Sequence, residues 1–220
     1  VDDLFIFDDR STDESVEIAK GFDAYVVRRA EATPSFLEHE GRFRLAAWQS
    51  MESLLRPQLG DWLIAIDADE FPVHWADTSA AAEEAIGKAN RKGATGVVLP
   101  FPEVFGIDDG IPQIRTDGLW GTVKGPRLFR YQEGADWSDK PMGCGSEPTY
   151  VGRGPLSNDA CGISVLHFGY ARREDVETKY RRYSGLYQHG HSDRHIQSIP
   201  QPPTLKPWDG PVPEWVKNAV

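Results

Sequence analysis

Cysteine is almost missing from this chain, with 2 residues, Cys144 and Cys161, among 220. Two thiols cannot build a disulfide framework or a four-thiolate metal site, so reduced thiols in a cytoplasmic protein are the expectation, with a single bridge between Gly-rich turns as the alternative. Long apolar runs are missing too. None reaches the roughly 18 residues of a membrane span, and the first residues lack a signal-peptide pattern. Val1 stands where a complete chain would begin with Met, which is consistent with a piece of a longer protein whose other segments carried any targeting or membrane association. Basic residues are in deficit, 24 Lys and Arg against 34 Asp and Glu, for a net charge of −10. That balance excludes a general nucleic-acid-binding surface and broad attraction to anionic membranes, while local basic patches remain open. No repeat or heptad is visible. A 40% hydrophobic and 11% aromatic content nevertheless provides for a real core.

Carboxylates are concentrated at the ends of apolar runs. Trp62-Leu63-Ile64-Ala65-Ile66 reads as a strand buried on both faces, and it delivers Asp67-Ala68-Asp69-Glu70 to its carboxyl end, where open α/β sheets bind ligands. Such crowding costs energy unless a cation compensates it, and oxygen clusters of this kind suit Mg²⁺ or Mn²⁺; the bland alternative is a solvated turn. Leu4-Phe5-Ile6-Phe7 ends in the same way, at Asp8-Asp9. Ser11 and Glu14 then have the spacing of a capping box, Gly21 closes the helix, and Ala24-Tyr25-Val26-Val27 is the next strand, giving one βαβ unit. If the two acidic strands lie parallel in one sheet, Asp8, Asp9, Asp67 and Asp69 converge on one edge.

The rest of the chain supplies further candidates. Helical spacing over residues 38–56 places Arg42 and Arg44 near a helix start, and residues 78–92 read as an Ala-rich helix closed by Gly93. Residues 96–101 form another buried strand. Residues 102–110 read as a turn-rich loop bearing Glu103, Asp108 and Asp109. In the strand at 124–130, Lys124 and Arg127 either line a pocket or charge a sheet edge. Residues 132–162 read as hairpins and loops, with Asp136, Asp139 and Glu147 as spare contacts for a second substrate. The strand at 163–166 ends at His167, by itself more often a structural residue than a ligand. The helix at 173–187 buries Val176, Tyr180, Tyr183 and Leu186 and displays Arg172, Arg173, Lys179, Arg181 and Arg182, a face suited either to solvent or to a diphosphate. His189, His191 and His195 lie in a mobile-looking loop with no matching second ligand set.

Three of these segments, in this order, carry a family resemblance. Asp-Asp-Arg-Ser-Thr-Asp at 8–13, Trp-Leu-Ile-Ala-Ile-Asp-Ala-Asp-Glu-Phe at 62–71 and Leu166-His167-Phe168-Gly169-Tyr170 together resemble family 2 type glycosyltransferases of the GT-A fold, in the branch whose DxD motif continues as Asp-Glu-Phe. The resemblance spans about residues 1–187. It implies a three-layer α/β/α sandwich with a mostly parallel central sheet over residues 1–199, followed by a Pro-rich tail at 200–220. It also implies metal-dependent, inverting transfer from a nucleotide-sugar, a UDP-sugar by analogy, to a saccharide, lipid or protein acceptor. Asp67, Asp69 and His167 would hold Mn²⁺, which suits imidazole better than Mg²⁺ does. Asp8, Asp9, Arg44, Asp67, Lys179 and Arg182 would contact the donor, and Glu103, Asp108 and Asp109 are the candidate bases.

The same resemblance places a strand and a helix before the first acidic turn, so roughly 25 residues are expected upstream and the chain is expected to behave as a fragment. Two rival classes differ in what they would show. A catalytically inactive nucleotide- or sugar-binding module would bind without turnover. An aspartate-nucleophile phosphatase would need Thr or Val where Phe71 stands.

Overall fold

The computed structural model describes residues 3–118, 120–139, 145–185 and 193–217. The protein is mixed α/β and divides into two compact units, Val1–Trp62 with Arg130–Arg153, and Leu63–Phe129 with Gly154–Val220.

In the first unit, β1 (Phe5–Asp8), α1 (Ser15–Lys20) and β2 (Tyr25–Arg28) form the expected βαβ unit, with β1 and β2 parallel from Phe5↔Tyr25 to Asp8↔Arg28. The expected capping box does not form. Asp8 takes the backbone N–H groups of Arg10 and Ser11, so the helix starts later, after Glu14, and Asp13 accepts the Ser15 N–H at 3.0 Å. A longer helix, α2 (Glu40–Leu55), follows His39, whose Nδ1 accepts the Arg42 N–H, and stops at Arg56, in the left-handed region ahead of Pro57. Its Trp48 stacks on Tyr131 with centroids 5.6 Å apart, and the Tyr131 hydroxyl donates to Glu52.

Apart from Trp62 and Arg130, which belong to the first unit, the second unit runs through β3 (Trp62–Ile64), β4 (Glu70–Val73), α3 (Thr78–Arg91), β5 (Gly96–Pro100), β6 (Val104–Asp108), β7 (Ile111–Arg115) and β8 (Lys124–Arg130). It continues with β9 (Leu156–Ser157), β10 (Ser164–His167), α4 (Arg173–Gly185), α5 (Asp193–Ser198), β11 (Leu205–Pro207) and α6 (Glu214–Lys217). Three small sheets result, in the orders β3-β8-β5-β9, β10-β4 and β11-β7-β6. They are mixed rather than mostly parallel, since β5 lies antiparallel to β8 and parallel to β9, and β10 runs antiparallel to β4. The strand expected to be buried on both faces is instead a short edge strand. Ile64 and Ile66 are 38% and 42% exposed, because regular pairing ends after Ile64 and the chain turns toward β4.

Local chemistry accounts for most of the remaining elements. Asp77 caps α3 by accepting the Ser79 and Ala80 N–H groups, an arrangement worth about 1 kcal/mol, and Ala81, Ala85 and Ala89 form its buried stripe. The segment read as a loop at 102–110 is instead the start of a hairpin. Asp109 and Gly110, both at positive φ (47° and 71°), make the two-residue turn between β6 and β7. The Pro-rich tail belongs to the second unit: β11 pairs with β7, Val216 is buried, and Trp208 packs against the core of Val73, Val104 and Leu166. A second core joins Trp120, Tyr170 and Ile199 with Phe105, Val176 and Tyr183, while Tyr180 is exposed rather than buried. Among the described residues no helix is long and apolar enough to cross a membrane.

Candidate functional site

Residues from four segments of the second unit meet around His167. Antiparallel pairing sets His167 opposite Glu70, and the Phe168 N–H donates to the Asp69 carbonyl at 2.7 Å, so the acidic turn and the end of β10 are tied together by backbone. His167 Nδ1 faces Glu103 Oε2 at 2.5 Å, and Nε2 faces Asp69 Oδ2 at 3.2 Å. Lys179, reaching in from α4, donates to Asp69 Oδ2 at 3.2 Å and lies 3.3 Å from His167 Nε2. Phe101 and Tyr170 wall the imidazole, with ring centroids at 5.3 and 5.8 Å, and the Lys179 ammonium rests 4.6 Å from the Tyr170 centroid.

Gly169 leaves the space in which these groups meet. A Cβ there would lie 2.5 Å from His167 Nε2 and 2.7 Å from Asp69 Oδ2, and would collide with Lys179 Nζ.

The charges are mutually supporting. Burial opposes protonation of His167, yet the Glu103 charge and the hydrogen bonds to Asp69 and Glu103 outweigh it and push the imidazole up to about 9. Burial likewise opposes the Asp69 charge, but the His167 hydrogen bond and charge, joined by those of Lys179, hold its carboxyl well below the usual range. Beside them, Arg127 donates to both Glu70 oxygens, from Nη2 at 2.8 Å and from Nε at 3.0 Å. Burial raises the Glu70 pKa and the Asp67 charge adds to the rise, against the opposing charge of Arg127.

The expected residues separate into those brought together and those placed elsewhere. Asp69, His167 and Lys179 meet, and Arg182 lies three positions after Lys179 on the same helix. Asp67 does not join Asp69 and His167: among the described residues no three His, Cys, Asp or Glu side chains form a group that could hold a metal ion. Glu103, an expected base, is buried at 6% exposure with its carboxylate against His167 Nδ1. Asp108 and Asp109, the other expected bases, lie at the turn of the β6–β7 hairpin, where turn chemistry places them.

In the first unit, Asp8 holds the backbone that follows β1, Asp9 is bound by Arg29 and by the Phe36 N–H, and Arg44 pairs with Glu40 at 2.9 Å. These three side chains thus have structural partners of their own. Asp139 pairs with His39, and Asp136 and Glu147 belong to the same unit. Cys161 is a free thiol; Cys144, His189 and His191 lie outside the described residues. Sequence reasoning missed the aromatic walls Phe101 and Tyr170 and the role of Gly169, although Gly169 sits inside the segment that drew attention to His167.

The fold and site thus define a mixed α/β protein with a carboxylate–imidazole–ammonium centre at the end of a strand pair. A scan against protein-family models found no matching family, and comparisons with curated proteins and with solved structures found no match.

Proposed function

We propose that this protein transfers a sugar from a nucleotide-sugar, a UDP-sugar by analogy, to an acceptor hydroxyl, as the GT-A glycosyltransferases that its motifs resemble do, with Mn²⁺ or Mg²⁺ as cofactor. One observation carries the reading. Asp69 and His167, 98 residues apart and drawn from two of the three motif segments, place Oδ2 and Nε2 3.2 Å apart beside the space left by Gly169.

A carboxylate and an imidazole at this spacing are two donors of the kind a divalent ion takes, and substrate and water would have to supply the others, since no third such side chain joins them among the described residues. Bonds of about 2.1 Å meeting at a right angle set two ligand atoms about 3 Å apart, and Mg²⁺ sites of this kind complete their shell with substrate phosphate oxygens and water. A bound divalent ion would supply positive charge against the departing nucleoside diphosphate. Glu103 fixes the imidazole through Nδ1 and so aims Nε2 at the site, the role of an outer carboxylate behind a ligating histidine, and an ion bound there would displace the Nε2 proton to solvent. Phe101 and Tyr170 pack against the ring. Lys179 and Arg182 offer cationic groups for phosphate oxygens. During transfer the acceptor oxygen bonds to the anomeric carbon while the bond from that carbon to the diphosphate oxygen breaks, its electron pair leaving with the diphosphate. The hydroxyl proton passes to a base other than Glu103, which is committed to His167.

Calorimetry with UDP and a panel of UDP-sugars, with Mn²⁺ and with chelator, tests the reading together with donor consumption across an acceptor panel. The expected result is affinity that disappears on chelation and turnover that needs an acceptor. Affinity indifferent to chelator would remove the metal from the reading, and binding without turnover would favour the inactive module.

A further inference from the structure

We propose that Lys179 is a built-in placeholder cation: its ammonium holds the position between Asp69 and His167 that a divalent ion takes, and entry of the ion expels Lys179 toward the phosphates of the donor. The inference rests on the transferase reading for the identity of the ion and donor. Its geometry does not. Lys179 Nζ stands 3.2 Å from Asp69 Oδ2 and 3.3 Å from His167 Nε2, which are themselves 3.2 Å apart, so three polar atoms form a nearly equilateral triangle packed against Gly169, whose missing Cβ gives them room.

An ion bonded to Oδ2 and Nε2 would sit within a few Å of the ammonium, and like charges that close in a partly covered site cannot coexist. Asp69 provides the way in, since its side chain is 40% exposed whereas those of Lys179 and His167 are 15% and 14% exposed. The lysine stem is flexible and anchored on α4, so the ammonium can swing out without moving the helix. Once expelled, it would be free to join Arg182, three residues further along the same helix, in binding phosphate oxygens.

The placeholder makes a prediction of opposite signs that a purely structural ion pair does not. In Lys179→Met, Mn²⁺ measured alone by calorimetry binds more tightly, by about fivefold, the equivalent of one lost competing ion pair. In the same variant UDP binds more weakly than to the wild type at saturating Mn²⁺. A second measurement needs no variant: in the wild type, Mg²⁺ increases the rate at which Lys179 is acetylated by an amine-reactive ester, read by mass spectrometry against Lys206 as an exposed reference. Equal Mn²⁺ affinity in wild type and variant, or Lys179 labelling unchanged by a metal that binds, overturns the placeholder while leaving the metal site standing. Failure of both proteins to bind Mn²⁺ overturns the placeholder and the metal-dependent reading together.

Discussion

His167 Nε2 lies 3.2 Å from Asp69 Oδ2 because the antiparallel register of β10 on β4 puts His167 opposite Glu70, one residue beyond Asp69. Backbone pairing, rather than side-chain preference, therefore sets the distance. Asp69→Asn keeps the shape and removes the charge, and we expect Mn²⁺-dependent UDP affinity to fall by about 100-fold or more, beyond the 10–100-fold range typical of losing an outer partner. Calorimetry checks it. Wild-type affinity in this variant would sink the ligand assignment.

Gly169→Ala tests the space itself. Gly169 is not at positive φ, so an added methyl meets no backbone penalty and the collision with Asp69, His167 and Lys179 is the whole effect. Metal and nucleotide affinity should be lost while the circular dichroism spectrum is kept. Gly152→Ala, with nothing within 4 Å of the added carbon, is the neutral control. Equal behaviour of the two variants would mean that the gap at Gly169 has no role.

The sequence revealed the parts of this site more readily than their assembly. The apolar run before Asp67 and the run before His167 both identified where carboxylate and imidazole emerge, since chain termini of strands are readable from local pattern. Sheet order was not readable that way. Ile64 and Ile66 look like core residues in sequence, yet β3 is an edge strand, because burial depends on partners that arrive from residues 124–130. The hairpin at Asp109-Gly110 carried a known turn signal that the surrounding Pro and Asp residues obscured. Glu103 looked like a loop acid because its partner, His167, is 64 residues away.

The alkaline side of the stability profile should report the His167–Glu103 contact in metal-free protein. His167 is raised from 6.5 to about 9 by Glu103 and Asp69, against burial and the Lys179 charge. A raised histidine contributes its full stability below the unfolded pKa of about 6.5 and loses it as pH rises through about 9. At about 1.4 kcal/mol per unit, the loss is on the order of 3 kcal/mol. Asp69, being lowered, works the other way: its contribution is present above the ordinary carboxylate range and fades in acid. Thermal melts across pH should therefore decline between about 6.5 and 9 in the wild type, and Glu103→Gln should flatten that limb. An unchanged alkaline limb in Glu103→Gln would place the titrating group elsewhere.

Arg127 and Glu70 form a second, structural pair directly after the acidic turn. The guanidinium Nε and Nη2 each donate to one carboxylate oxygen, and the side chains are only 14% and 2% exposed. Removing one member of a buried pair strands the other charge. Arg127→Met should accordingly cost about 3–5 kcal/mol in urea unfolding at neutral pH. The cost should shrink in acid, because burial already raises the Glu70 pKa and loss of Arg127 raises it further, so the stranded carboxylate becomes neutral as pH falls. Adding Glu70→Gln to Arg127→Met should recover much of the loss, since the double variant buries no unpaired charge. The guanidinium also sits 4.6 Å from the centroid of Phe101, the ring that packs against His167, so Arg127→Met should weaken Mn²⁺ affinity as well, and the double variant should not restore it. A cost below about 1 kcal/mol for the single variant, the range of exposed ion pairs, would show that the pair is solvated in solution.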